Sequence, residues 1–405
     1  MSVGVHQKLL PRSFRLLWRA TAISNIGDGL RLTALPLLAT SITTDPRAIA
    51  GIAVAERVPW LVFILPGGAW ADRLDRRLLR VRLDAARAAV MAALVGLIAA
   101  DKVSIAAIYV VAASLASAEA VVDSSSMALV PATVDKRDLE RAGSLLSSTE
   151  LITNGLMGPP LGGLLFGIAV AVPFGIDAAS FAAAAVTMLL LSGSFAPLTV
   201  TDKGEPMRRQ IAEGFRWFWR RRLLRNLALI ATALGTASFI SGAVFVLFAT
   251  KTLHLSAAGY GLLLVPAAVG GVAGSVLAPK LSKAPLRVVL ASAIFCSGVA
   301  TLITSAISVS VLVGALAGIS AAGALVWNVL TIALRQRVIP DHLLGRVGAS
   351  YRFLVYVGMP FGALIGGFLA DAFGIRSALA VGGLAFIVIG LSIPLLLRGS
   401  ADLQA

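Results

Sequence analysis

Asp28 and Arg31 stand three residues apart in the run Ser24-Asn25-Ile26-Gly27-Asp28-Gly29-Leu30-Arg31, inside a long apolar stretch. On a helix that spacing puts both side chains on one face. Near the middle of a bilayer each charge costs about 2.5–3.5 kcal/mol on insertion scales, so both should face a cavity or each other. The proton occupancy of a buried carboxylate depends on whether a guanidinium stands beside it. Asp28 is therefore a proton-coupling candidate, with a static Asp28–Arg31 ion pair as the plain alternative. Glu119 is a second candidate, because Asp123 follows it at i+4 and two carboxylates on one face can share a proton. Arg31, Glu56, Arg57 and Glu150 are further embedded charges, and Asn25, Trp60, Asn154, Trp327 and Asn328 are polar or aromatic candidates for lining a substrate cavity.

These residues must be carried by membrane-spanning helices. The chain has 405 residues, of which 58% are hydrophobic and 14% charged, far from the mix of an ordinary soluble domain. Apolar segments fall at 17–42, 48–71, 83–100, 103–130, 143–168, 174–195, 225–250, 258–279, 287–305, 308–333, 347–370 and 374–397. Each span needs roughly 20 residues, so twelve leave room for short loops and one longer connection. If the N-terminus lies inside, the inner loops and ends carry 27 Lys and Arg against four outside, Arg47, Lys102, Lys251 and Arg376. That asymmetry predicts both termini in the cytoplasm. It also accounts for the net charge of +15 without nucleic acid as a partner. The basic start of the chain resembles a signal peptide, but its apolar stretch is long and holds Asp28 and Arg31, so a retained first helix is expected.

One cysteine, Cys296, excludes an internal disulfide, and three scattered histidines offer no metal spacing. No paired catalytic residues and no phosphate-cradling loop are present, so neither an enzyme nor a bound cofactor is expected, and an ion gradient is the expected energy source. The longest connection, 196–224, lies at mid-chain and divides a first unit, 1–195, from a second, 225–405. Its segment Met207 to Arg225 reads as a basic amphipathic helix, with Trp217, Phe218 and Trp219 among arginines, laid on membrane lipid. The units echo one another: Asn154, Gly158, Gly162 and Gly163 recur 204 residues later as Gly358, Gly362, Gly366 and Gly367.

The run Gly67-Gly68-Ala69-Trp70-Ala71-Asp72-Arg73-Leu74-Asp75-Arg76-Arg77 resembles the helix 2 to 3 signature of the major facilitator superfamily, with Asp75 in place of its second glycine. Gly158, Pro159, Gly162 and Gly163 resemble the helix 5 motif of the superfamily's antiporters. The first helix is similar to that of macrolide-efflux and siderophore (enterobactin) exporters. The resemblance implies an all-α membrane protein of twelve transmembrane helices in two pseudo-symmetric six-helix bundles, working as a monomer by alternating access. It implies a cytoplasmic gate of Gly68, Asp72, Arg73, Arg76 and Arg77, with Asp123 paired to Arg76, and proton-driven export of a drug or secondary metabolite. An uptake symporter or facilitator is the nearest alternative, and a non-transporting membrane sensor the alternative from another class.

Overall fold

The computed structural model describes residues 10–71, 74–192, 195, 215–340 and 343–398. Twelve long helical segments run through these residues, as a chain must when hydrocarbon offers no partner for backbone N–H and C=O groups. They are α1 (Arg12–Ile42), α2 (Pro46–Ala71), α3 (Arg76–Ala99), α4 (Ile105–Thr133), α5 (Lys136–Ile168) and α6 (Val172–Leu189). The second half gives α7 (Arg222–Thr252), α8 (Ala257–Leu281), α9 (Leu286–Ala306), α10 (Ser310–Val338), α11 (Leu344–Phe373) and α12 (Ile375–Leu396). Nine are long and apolar enough to cross a membrane; the other three, α1, α2 and α3, carry ionisable residues in their interiors.

Two corrections to the sequence reading bear on function. The third helix starts at Arg76 rather than residue 83, because the Asp75 carboxylate caps it, accepting from the N–H groups of Arg77 (2.9 Å) and Leu78 (3.1 Å). The extra turns bring Arg80 onto the same helix as Asp84 and Arg87. The basic linker helix is described only over 215–220 and breaks at Arg221; its Phe218 is buried in protein against Leu223 and Leu224 instead of facing lipid.

Helices α1–α6 pack into one bundle and α7–α12 into another, joined along α2 against α11 and α5 against α8. The half-chain echo has a packing meaning. A Cβ on Gly162 would strike the backbone of Leu30 on α1, and one on Gly163 the backbone of Ala257 and Gly261 on α8. Likewise a Cβ on Gly366 would strike Ile240 on α7, and one on Gly367 would strike Ala50 and Arg47 on α2. Helices α5 and α11 are thus each pressed between the first helix of their own bundle and the second helix of the other. Just before Gly158, α5 widens into a π-helical stretch, Leu151–Met157. Pro159 and Pro160 supply no N–H to the preceding turn, which loosens the ladder there.

The apolar cores reveal which end is shut. One core takes residues from both bundles at the end away from the chain termini, among them Leu38, Ile49, Phe174, Phe248, Leu263 and Leu379. At the basic end the cores separate into one belonging to the second bundle and two smaller ones in the first. Among the described residues the bundles therefore share an apolar core at the far end and none at the basic face.

Candidate functional site

The first bundle holds a buried ionic network centred on α1. Gly27 lacks the Cβ that would collide with Asp177 and Ser180 of α6, and Gly29 lacks the one that would collide with the widened turn of α5. The residue between them, Asp28, is therefore drawn deep among helices. Its carboxylate accepts from Arg87 of α3 at 2.8 and 3.0 Å and from Arg31 at 3.1 Å. Arg31 serves as a hub: besides Asp28 it reaches Glu56 of α2 (3.5 Å), Glu119 of α4 (3.7 Å) and Asp177 of α6 (3.8 Å). Along α3 the ladder continues from Arg87 to Asp84 (3.5 Å) and on to Arg80 (3.5 Å), which donates to the Ser126 hydroxyl (2.6 Å). The Arg87 guanidinium also lies over the Phe181 ring, 3.9 Å from its centroid.

Charge balance divides this network in two. Asp28, Asp84 and Asp177 face Arg31, Arg80 and Arg87, and all six are at most 5% exposed. This inner set matches three acids with three guanidiniums, the pairing that burial of charge favours. Glu56 and Glu119 are different, with side chains 25% and 38% exposed. The neighbouring cation on the wall is Arg57, half-buried with its guanidinium 5.3 Å over the Phe239 ring of α7. The wall thus carries one carboxylate more than it has guanidiniums, at the most exposed part of the network among the described residues.

The wall faces a cavity between the bundles. A space of about 250 Å³ is lined by Leu32, Ile52 and Glu56 from one bundle and Phe239, Val246 and Tyr260 from the other. A smaller space of about 60 Å³ shares Leu32 and Glu56 and touches Asp28, Arg31, Arg57, Trp60, Glu119 and Asn154. Trp60 meets Tyr356 of α11 edge to face, with ring centroids 5.7 Å apart.

Among the sequence candidates, Asp28, Arg31, Glu56, Arg57, Trp60, Glu119 and Asn154 come together here. Glu119 and Asp123 have different neighbours: Glu119 faces Arg31, whereas Asp123 feels Arg80 and, across the bundle boundary, Arg352. Glu150 lies within electrostatic range of Asp123 and Asp28. Asn25 is half-buried on α1, and Asn328 is exposed on α10. Trp327 does not line the cavity spaces; it lies with Val326 and Leu330 on the face of α10 that is buried in the core of the second bundle. Of the gate residues, Gly68 falls on the last turns of α2, and Asp72 and Arg73 lie outside the described residues. Arg76 begins α3, and Arg77 donates to the last carbonyls of α6, Met188 (3.1 Å) and Leu189 (2.6 Å). Gly158, Pro159, Gly162 and Gly163 are all buried on α5.

Sequence reasoning missed Arg80, Asp84, Arg87 and Asp177. Asp177 was a lone acid inside an apolar run, the same signal that singled out Asp28. Arg80, Asp84 and Arg87 follow i, i+4, i+7 spacing, one face of a helix, but starting the third span at residue 83 left Arg80 in the loop and hid the pattern.

A family model described as transmembrane secretion effector matches residues 6–402. The multidrug efflux pump Tap of Mycobacterium tuberculosis (strain ATCC 25618 / H37Rv) is 27% identical over 397 residues, covering 93% of this chain and 91% of Tap. Among solved structures, a mutant of the nucleoside transporter NupG superposes with a TM-score of 0.76 at 11% identity, covering 96% of this chain and 100% of that one. A bacterial homologue of the iron transporter ferroportin, in its inward-facing state, superposes with a TM-score of 0.72 at 17% identity, covering 95% and 98%.

Proposed function

The chain belongs to the transmembrane secretion effector family of the major facilitator superfamily, and from that premise we propose that it exports a drug-like or secondary metabolite across the cytoplasmic membrane in exchange for protons. Membership makes it a transporter and not an enzyme, with twelve helices in two bundles. The 27% identity to Tap supports export as the direction and a small organic molecule as cargo. The excess of Lys and Arg on one face supports placing that face, and both termini, in the cytoplasm.

The observation that carries the proton-coupled reading is the unmatched carboxylate on the cavity wall. Glu56 and Glu119 share Arg31, yet Arg31 is already committed to Asp28. The wall accepts one further positive charge at low cost, a proton or a cationic or hydrogen-bonding group of the cargo. Two ligands that neutralise one site exclude each other, which is the requirement for exchange. Glu119 is the proton site in this reading, being the more exposed of the two. Asp28, held by two arginines, orients Arg31. Cargo enters from the basic face, where the described residues of the two bundles share no apolar core. Rocking of the bundles about α2–α11 and α5–α8 then opens the far end, where a proton replaces the cargo.

Expression in a host stripped of its own drug exporters tests this reading. Cells carrying the chain should accumulate less of at least one member of a panel of fluorescent dyes and antibiotics, and a protonophore should erase the difference. Lower accumulation that survives the protonophore would contradict proton coupling, and higher accumulation would contradict export.

A further inference from the structure

Arg31 faces two sets of carboxylates, and the set buried away from the cavity is incomplete. The Arg31 Nε–H makes no hydrogen bond, and neither does either carboxylate oxygen of Asp177, although all three atoms are buried. They face each other at 3.8 Å. An N–H···O bond needs roughly 2.7–3.2 Å, so a displacement of less than about 1 Å would satisfy both partners at once. The nearest hydroxyl does not claim the carboxylate: Ser180 donates instead to the Asp177 backbone carbonyl at 2.8 Å. Gly27 gives this acid its place beside α1.

We propose that Asp177 is the alternate counterion of Arg31, a positioning residue that receives the guanidinium when the cavity-wall carboxylates are neutralised. The proposal rests on the proton-coupled reading above. The charged groups around Asp177 are Asp28 and Arg31 of α1, Arg87 of α3 and Glu119 of α4. Arg87 is held by Asp28 and Asp84, and Asp28 is already shared, so a released Arg31 has Asp177 as its open partner. With Glu56 and Glu119 ionised, Arg31 is held toward the cavity. With a proton or cargo on the wall, that pull weakens and Arg31 closes onto α6. Helix α6 is also the one whose last carbonyls are held by Arg77, at the start of α3. The loading state of the cavity thereby acquires a mechanical route to the basic end of α3 and α6.

The test compares wild type, Asp177→Asn and Asp177→Glu in proteoliposomes, using a fluorescent dye shown to be transported as the probe. Asp177→Asn should keep dye binding at equal pH within about twofold, because the cavity wall is intact. Accumulation driven by a pH gradient should fall at least tenfold with a flattened pH profile, and Asp177→Glu should restore the profile. An Asp177→Asn protein with the wild-type profile overturns the proposal while leaving proton coupling in place; a wild type that ignores the gradient overturns both. Should Asp177→Asn fail to fold, Gly27→Ala displaces the same carboxylate, and a folded Gly27→Ala protein with an unaltered pH profile overturns the proposal equally.

Discussion

The shut far end depends in part on one ion pair that crosses between the bundles. Arg47 Nη2 of α2 stands 2.5 Å from Asp371 Oδ2 of α11, with side chains 56% and 39% exposed. Exposed pairs of this kind contribute about 0.2–1 kcal/mol. Arg47 also lies 5.3 Å over the Phe368 ring, an exposed cation–π contact of about 0.5–1 kcal/mol. Asp371→Asn therefore removes at most about 1 kcal/mol, a fivefold drop in the ratio of closed to open far ends. Arg47→Gln removes both contacts, up to about 2 kcal/mol, or roughly thirtyfold. Spin labels at Thr44 and His254, on turns of opposite bundles at that end, read the ratio as a distance distribution. The exposed Cys296 must first be replaced by serine so that it takes no label. In the double variant the two losses should not add, since one removal already breaks the pair. About 1 M salt should reproduce the Asp371→Asn shift in wild type and do little in the variant. Unchanged distances at low salt, or full additivity, would refute the latch.

Other outcomes follow from the same packing. Gly163→Val places side-chain atoms against the backbone of Ala257 and Gly261; it should wedge α5 from α8 and raise thiol labelling of a cysteine put at the far end of the cavity, and native labelling rates would contradict it. Asp75→Ala removes the two N–H contacts that cap α3, a loss of about 1 kcal/mol that should lower the thermal midpoint in detergent. Arg77→Gln frees the final carbonyls of α6 and should likewise lower that midpoint, with a larger effect on gate closure than on dye binding.

The architecture was legible because hydrocarbon length and loop charge are local properties: twelve apolar runs and the basic bias of alternate connections need no tertiary information. Asp28 and Arg31 were legible together because three residues fix their mutual placement on any helix. The other members of the network were harder to read, since Arg87, Glu56, Glu119 and Asp177 come from four helices whose rotation the pattern of apolar residues leaves loose. Arg80, Asp84 and Arg87 were hidden for a further reason. Four charges in the eight residues 80–87 resemble the end of a basic loop, and only a capped helix buried against α4 and α6 turns Arg80, Asp84 and Arg87 into a ladder. The paired glycines were visible as a repeat, but the contacts each one makes, with its own bundle or the other, emerged only from packing.

Proton flux itself tests the central claim most directly. Purified protein is reconstituted with a pH-sensitive dye inside the vesicles, and a transported substrate is added to wild type, Glu119→Gln and Glu56→Gln. Substrate should drive proton movement in the opposite direction in wild type; Glu119→Gln should abolish that movement while still exchanging substrate for substrate, and Glu56→Gln should weaken substrate binding. Substrate transport in wild type with no accompanying proton movement would contradict the account.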